Sequence, residues 1–190
     1  MTIAVGDTLP SFSYRLRRNL GAEETKDIVE STGNLVEEVW VDKSSTDIVP
    51  NRTIVIVGLP GAYTPTCSRS QCPEYNGNLA TLNALGVDDV YIHSVNDAFV
   101  MKSWMWQYGW HENLEAIPDG NGTFASALGV LVNKNDVHFG PRCWRYTMVV
   151  ENGVVIYFAP ETNMRDNADD DLYVASRVAP LITFLQNRTP

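Results

Sequence analysis

The reactive groups in this chain are three thiols, Cys67, Cys72 and Cys143. A cysteine becomes a nucleophile when it ionises, so the question is which thiol sits where the thiolate is favoured. Cys67 does, by its place in the stretch from Leu59 to Cys72. The apolar run Ile54-Val55-Ile56-Val57 reads as a buried strand leading into that stretch. Pro60 and Gly61 stop the strand and turn the chain. Thr64-Pro65 then reads as a helix start, with Thr as the cap and Pro at the first helical position, where no donor is needed. Cys67 follows in the first turn, among unpaired backbone N–H groups at the positive end of the helix dipole. The competing reading is a small residue packed as a hydrophobe, and position alone leaves the two level.

The elements around this turn follow in order. The helix is expected to run to about Leu85, with Cys72, Tyr75, Leu79 and Leu82 as its buried stripe and Gly86 after its end. Residues 90–95 read as a second buried strand. Asn96 or Asp97 caps a helix through about Tyr108. That helix carries Phe99, Met101, Trp104, Met105, Trp106 and Tyr108, more bulk than one face can bury, so part of it is a candidate subunit contact. Asp119-Gly120-Asn121-Gly122 is a tight turn, and 124–128 a short helix closed by Gly129. Residues 146–150 and 154–158 flank Asn152-Gly153 and predict a hairpin. The last aspartates of 161–171 are expected to suit the N-terminus of a closing helix striped by Leu172, Ala175, Val178, Ile182 and Leu185. Strands alternating with helices, then a hairpin and a helix, describe an α/β sandwich with a mixed sheet. Before Pro50 the pattern is weaker: a short edge strand around Leu9 to Tyr14, and a strand of a hairpin over Leu35 to Val41.

Bulk properties bound the function. With 190 residues, 44% of them hydrophobic and 19% charged, one domain with a sizeable core is expected over 1–190. A net charge of −9 without a basic stripe argues against nucleic acid. No apolar run approaches the ~20 residues that cross a bilayer, and the N-terminus lacks the basic-then-apolar pattern of a signal peptide. A soluble cytoplasmic protein is expected. Three cysteines do not make a disulfide framework. His93, His111 and His138 show no ligand spacing, so no metal is expected, and with no phosphate loop or dinucleotide fingerprint no cofactor is expected.

Residues 60–68, Pro-Gly-Ala-Tyr-Thr-Pro-Thr-Cys-Ser, resemble the active-site stretch of peroxiredoxins of the Prx5 (type II) subfamily, which usually has Phe where this chain has Tyr63. Ser94-Val95-Asn96-Asp97 with Phe99-Val100-Met101 and Trp104 is similar to the family as well. So are residues 117–122 and 142–149, and the resemblance covers roughly 54–158 in order. Residues 1–50 do not match it and form a divergent N-terminal segment. The resemblance implies a thioredoxin-like fold, α/β with a mixed central β-sheet flanked by α-helices. It implies a thiol-dependent peroxidase, acting on hydrogen peroxide and small alkyl hydroperoxides through a sulfenic acid on Cys67.

The catalytic roles come with the resemblance. Thr64 presents its hydroxyl to the thiolate or the peroxide, Pro60 shields the pocket, and Arg145 supplies a permanent cation. Outside that context Arg145 reads as a surface ion-pair partner. Arg142 also matches, in a supporting role. Regeneration by glutathione with glutaredoxin, or by thioredoxin, and a homodimer are further implications.

What resolves the sulfenic acid stays open between three routes. Cys72 replaces a residue usually Leu and lies at the spacing of a resolving cysteine in PrxQ-type relatives. In an intact α-helix, residues five apart are roughly 8.7 Å from Cα to Cα, beyond the roughly 7 Å that a disulfide tolerates. Bonding to Cys67 would require unwinding; otherwise Cys72 is core. Cys143 replaces a residue usually Ser, and on a strand it would share a face with Arg145; otherwise it too is a buried small residue. If neither resolves, an external thiol must. A peroxide-sensing redox relay on the same scaffold is the alternative function. A general thiol–disulfide oxidoreductase is disfavoured by the absence of Cys-x-x-Cys.

Overall fold

The computed structural model describes residues 1–32 and 38–188. A five-stranded mixed sheet organises it, and the N-terminal segment forms a separate two-stranded ribbon at its edge. The ribbon pairs β1 (Ser13–Asn19) with β2 (Glu38–Ser44), antiparallel, with α1 (Ala22–Thr32) lying between them in sequence. The edge strand expected around residues 9–14 instead begins at Ser13 and runs through the charged stretch to Asn19. Alternation explains it: Tyr14 and Leu16 turn inward while Arg15 and Arg17 meet Asp42 and Glu38 across the strands. The strand expected over Leu35–Val41 is found from Glu38 to Ser44; residues 35–37 lie outside the described residues.

A short helix, α2 (Ser45–Ile48), leads to β3 (Thr53–Gly58), the sheet's central strand. Ile54 to Val57 are fully buried because both faces of β3 are covered. Ile54 and Ile56 pack with Met148 and Val150 on one face. Val55 and Val57 pack with Ile92, Val149 and the two cysteines of the following helix on the other.

The helix after the active-site turn is not the single run expected. Helical structure begins at Pro65 but widens into a π-turn over Cys67–Gln71, closed by the Cys72 N–H donating to the Cys67 carbonyl. Pro73 explains part of this, since it has no N–H for the carbonyl of Arg69. Regular helix resumes as α3 (Cys72–Gly77), is interrupted at Asn78, and ends in α4 (Leu79–Ala84). Cys72, Tyr75 and Leu82 are buried as expected, and Leu79 half-buried.

Next come β4 (Asp89–Ser94) and α5 (Ala98–Gln107), parallel to and packed beside β3 respectively. Asp97 caps α5 by accepting from the N–H groups of Phe99 and Val100 at 2.8 and 3.0 Å. Met101, Trp104 and Met105 are buried, whereas Phe99, Trp106 and Tyr108 remain exposed. The edge strand β5 (Glu115–Pro118), α6 (Thr123–Ala127) and a small ribbon of β6 (Leu131–Lys134) with β7 (Gly140–Cys143) follow. The hairpin of β8 (Tyr146–Glu151) and β9 (Val154–Pro160) closes the sheet in the order β5-β4-β3-β8-β9. Asn152 and Gly153 have φ of 48° and 84°, as a tight type I′ turn demands.

The closing helix is shorter than its apolar pattern. α7 spans Val178–Gln186, so Leu172 and Ala175 precede it. The carboxylate of Glu161 accepts from the N–H groups of Val174 and Ser176 and the Ser176 hydroxyl, fixing a turn where helix was expected.

Candidate active site

Two loops and one helix start converge at the C-terminal end of β3. Leu59 N–H donates to the His93 carbonyl, tying the exit of β3 to β4. Asn96 Oδ1 accepts from Ala62 N–H and the Ser94 hydroxyl, holding the turn before the helix. Tyr63 has φ of 64°, unusual for a bulky residue. Its hydroxyl pairs with Ser103 of α5 at 2.9 Å, a partner that Phe could not use. Thr64 stands before Pro65 as expected. Its carbonyl accepts from Ser68 N–H, but its hydroxyl donates to the Gly61 carbonyl at 2.8 Å.

Cys67 is fully buried. Arg145, only 3% exposed, reaches it from the bend between β7 and β8: Nη1 donates to Sγ at 3.4 Å. The guanidinium is held by three further acceptors. Nη1 also meets Gln71 Oε1, Nη2 pairs with the Asp171 carboxylate, and Nε donates to the Leu172 carbonyl at 2.9 Å. Burial works against the Arg145 charge, yet Cys67 and Asp171 outweigh it, so its pKa is raised above the ordinary value. Pro60 lines the same small cleft as Arg145 and Leu172. Beside it opens a cavity of about 300 Å³ lined by Gly61, Tyr63, Thr64, Pro65 and Arg142. Arg142 donates to the carbonyls of Val95 and Phe139, bracing the cavity wall.

Gln71 and Asp171 were not singled out from sequence. Gln71 is four residues after Cys67, hence on the same helical side, and that spacing could have flagged it. Asp171, expected at a helix start, instead pairs with Arg145; they lie 26 positions apart, and nothing in that stretch carries a pattern that joins them.

The other two thiols are buried nearby but do not contact the Cys67 sulfur by hydrogen bond. Cys72 packs in the core with Tyr75 and Leu82 on the Cys67 side of the sheet. Burial pushes its pKa well up, the Cys67 charge adds to this, and Arg145 opposes it. β7 ends at Cys143, so the strand alternation that would align it with Arg145 does not continue, although Cys67 and Arg145 are still near enough to act on its thiol. Its sulfur instead lies 3.6 Å from His93 Nδ1 and donates to the Trp144 carbonyl. Burial, reinforced by Asp119, pushes the Cys143 thiol well up. His93 itself bridges the Tyr146 hydroxyl and Asp119 at 2.9 and 3.2 Å. Burial would raise the Asp119 carboxyl, but His93 and the N–H groups of Ala125 and Phe124 hold it below its ordinary range.

A buried sulfur facing an arginine, on a strand–turn–helix, is an arrangement that comparison with known proteins can place. Residues 4–172 match the Redoxin family, so the match takes in most of the N-terminal segment expected to fall outside it. Peroxiredoxin sll1621 of Synechocystis is 40% identical over 147 residues, 77% of each chain. The chain belongs to the peroxiredoxin family. Among other peroxiredoxins, the hybrid hyPrx5 of Haemophilus influenzae is 48% identical over 116 residues, 61% of this chain and 48% of that protein's length. The 1-Cys peroxiredoxin (antioxidant protein) of Plasmodium falciparum superposes with a TM-score of 0.82 at 26% identity, over 98% of this chain and all of that one. Reduced Prx3 of Vibrio vulnificus, solved in complex with hydrogen peroxide, gives 0.78 at 28% identity over 98% of each chain. This peroxiredoxin has the thioredoxin-like fold of those relatives, a mixed sheet flanked by helices. No helix among its described residues is long and apolar enough to cross a membrane.

Proposed function

We propose that this peroxiredoxin reduces hydrogen peroxide and small alkyl hydroperoxides, with Cys67 as nucleophile. The observation that carries the reading is the 3.4 Å contact from Arg145 Nη1 to the buried Cys67 sulfur. The Vibrio relative solved with hydrogen peroxide supports the substrate class. In the proposed step the Cys67 thiolate attacks one peroxide oxygen and the O–O bond breaks. The sulfur is oxidised to a sulfenic acid; the departing oxygen leaves as hydroxide or alkoxide and takes a proton to become water or alcohol. Arg145 stabilises the negative charge as it moves from sulfur to the departing oxygen. The Thr64 hydroxyl, already donating to Gly61, is left as an acceptor for the peroxide O–H. Pro60 keeps water from the sulfur.

For the second half of the cycle we propose Cys72 as the resolving thiol: it attacks the sulfenic sulfur, a disulfide forms and water leaves. The π-turn supports this, since only Cys67–Gln71 of the helix, the stretch joining the two thiols, has the weaker wide geometry. An external thiol, glutathione with glutaredoxin or thioredoxin, then supplies the two electrons that restore both cysteines. A homodimer is proposed to form over part of the exposed aromatic side of α5.

Stopped-flow peroxide consumption tests the first half. Cys67→Ser should abolish it, and Arg145→Lys should lower kcat/KM by roughly 10²–10³-fold, since one ammonium cannot replace the fork. Full turnover in Cys67→Ser would end the reading. Mass spectrometry after one equivalent of peroxide tests the second: a Cys67–Cys72 disulfide is expected, and a Cys67 sulfenic acid persisting with Cys72 intact would remove Cys72 from the cycle.

A further inference from the structure

Arg142 stands on β7, half-buried, three residues before Arg145. The other arginines that are buried or half-buried each have a carboxylate. Arg17 has Glu38, Arg52 has Asp89, Arg145 has Asp171 and Arg188 has Glu151. Arg142 has none among the described residues. Its Nε donates to the Phe139 carbonyl and its Nη1 to the Val95 carbonyl, both at 3.1 Å. A guanidinium carries five N–H donors, so three remain. Burial holds its pKa below the ordinary value, and no neighbouring anion opposes the shift. A cation drawn part-way out of water is ordinarily paired. The chain has 23 acidic residues and a net charge of −9, so carboxylates are not scarce.

Arg142 lines the cavity of about 300 Å³ beside the Cys67 turn, and no carboxylate lines it. Asn96 brings a second donor to the same place. Its Oδ1 is committed to the Ala62 N–H and the Ser94 hydroxyl, which fixes the amide, and its Nδ2 makes no hydrogen bond among the described residues. The two side chains converge on Gly61: a Cβ added there would lie 3.6 Å from Arg142 Nη1 and 3.7 Å from Asn96 Oδ1. The rings of Tyr63 and Phe139 supply apolar wall and are exposed, so the cavity opens to solvent. Thr64, whose hydroxyl is assigned to the peroxide, borders the same space.

We propose that Arg142 and Asn96 bind the carboxylate of an organic hydroperoxide, so that this peroxiredoxin prefers hydroperoxides bearing a carboxylate to neutral ones of the same shape. The apolar body of the substrate lies against Tyr63 and Phe139, and its O–O group reaches Thr64 and Cys67. The proposal rests on the peroxidase reading and names the substrate within it. The step at sulfur is unchanged, and the alcohol that leaves keeps its carboxylate. Arg142 holds the far end of the substrate, so its part is selection and not bond breaking.

Single-turnover stopped-flow on the full-length protein tests it, with cumene hydroperoxide carrying a para-carboxylate against the methyl ester of the same compound. The two share the reacting group and differ in charge. The carboxylate should react roughly tenfold faster, a difference of about 1.4 kcal/mol. Arg142→Met keeps an apolar stem and removes the charge. Asn96→Asp keeps the acceptor for Ala62 and Ser94 and gives Arg142 an internal counter-ion. Each should make the two rates equal or reverse the preference, whatever it does to hydrogen peroxide. Equal rates in the wild type, or an undiminished preference in either variant that still consumes hydrogen peroxide, would overturn the proposal. Failure of the peroxidase reading gives a different result, since the wild type would then consume neither hydroperoxide nor hydrogen peroxide.

Discussion

Gln71 and Arg145 are hydrogen-bonded in the interior, and the Arg145 nitrogen that Gln71 holds is the one that faces the Cys67 sulfur. Gln71 is itself fixed by donating from Nε2 to the Gly58 carbonyl at 3.2 Å. The guanidinium is therefore positioned from the helix that carries the sulfur as well as by Asp171 across the cleft.

Gln71→Met keeps the shape and removes the acceptor. It should lower kcat/KM for hydrogen peroxide roughly ten- to hundredfold. Thr147→Val is the control: it removes a buried bond to Tyr75 and one to the Ser176 carbonyl, both away from the sulfur. It should lower the urea midpoint more than the rate. A wild-type rate in Gln71→Met would show that Gln71 does not position Arg145.

Cys72 and Cys143 are both buried with their pKa values pushed up. Near pH 7 they stay protonated in the native fold and should resist iodoacetamide. Labelling resolved by mass should accelerate by roughly a hundredfold or more once urea opens the chain, since the thiolate is the reacting form. Fast native labelling of either thiol would contradict the burial.

Glu161 gives a dependence on acid. Burial would raise its pKa, but the Ser176 N–H and hydroxyl and the Val174 and Ala175 N–H groups outweigh that and hold it below its ordinary value. A folded pKa below the unfolded one stabilises the protein above the unfolded value, and this is lost as pH falls through the folded one. The gap in urea midpoint between wild type and Glu161→Gln should therefore be full at pH 7 and shrink below roughly pH 4.3. A gap that holds constant to pH 3 would contradict the role given to these bonds.

Gly58 is where the sheet admits no side chain. A Cβ there would lie 2.1 Å from Tyr146 Cε1. Gly58→Ala must displace the Tyr146 ring and with it the bond to His93. The expected cost is about 1–3 kcal/mol, as for other overpacked cores, read from the urea midpoint. An unchanged midpoint would mean that the ring moves freely.

Much of the framework was legible because it is local. The apolar run 54–57, the Asn152-Gly153 turn and the Asp97 cap each act within a few residues, and each appears as read. Errors arose where distant groups outbid local preference. Leu172 and Ala175 fit a helical stripe, but Glu161 holds the chain next to Ala175 as a turn. Cys143 fits a strand alternation, but β7 ends there and the alternation does not reach Arg145. The ribbon of β1 and β2 was barely visible, since its strands are joined by cross-strand charges and not by a tight turn.

From its order of residues alone the chain determined a thiol at a helix start after a buried strand, and a motif-matched arginine, because strand burial, turns and caps depend on neighbours in sequence. Only the folded molecule decided that Arg145 lies 3.4 Å from Cys67 and that Gln71 and Asp171 hold it there. It also decided that the helix widens between Cys67 and Cys72. Contacts across 78 residues come from the packing of sheet against helix, and no local spacing encodes them.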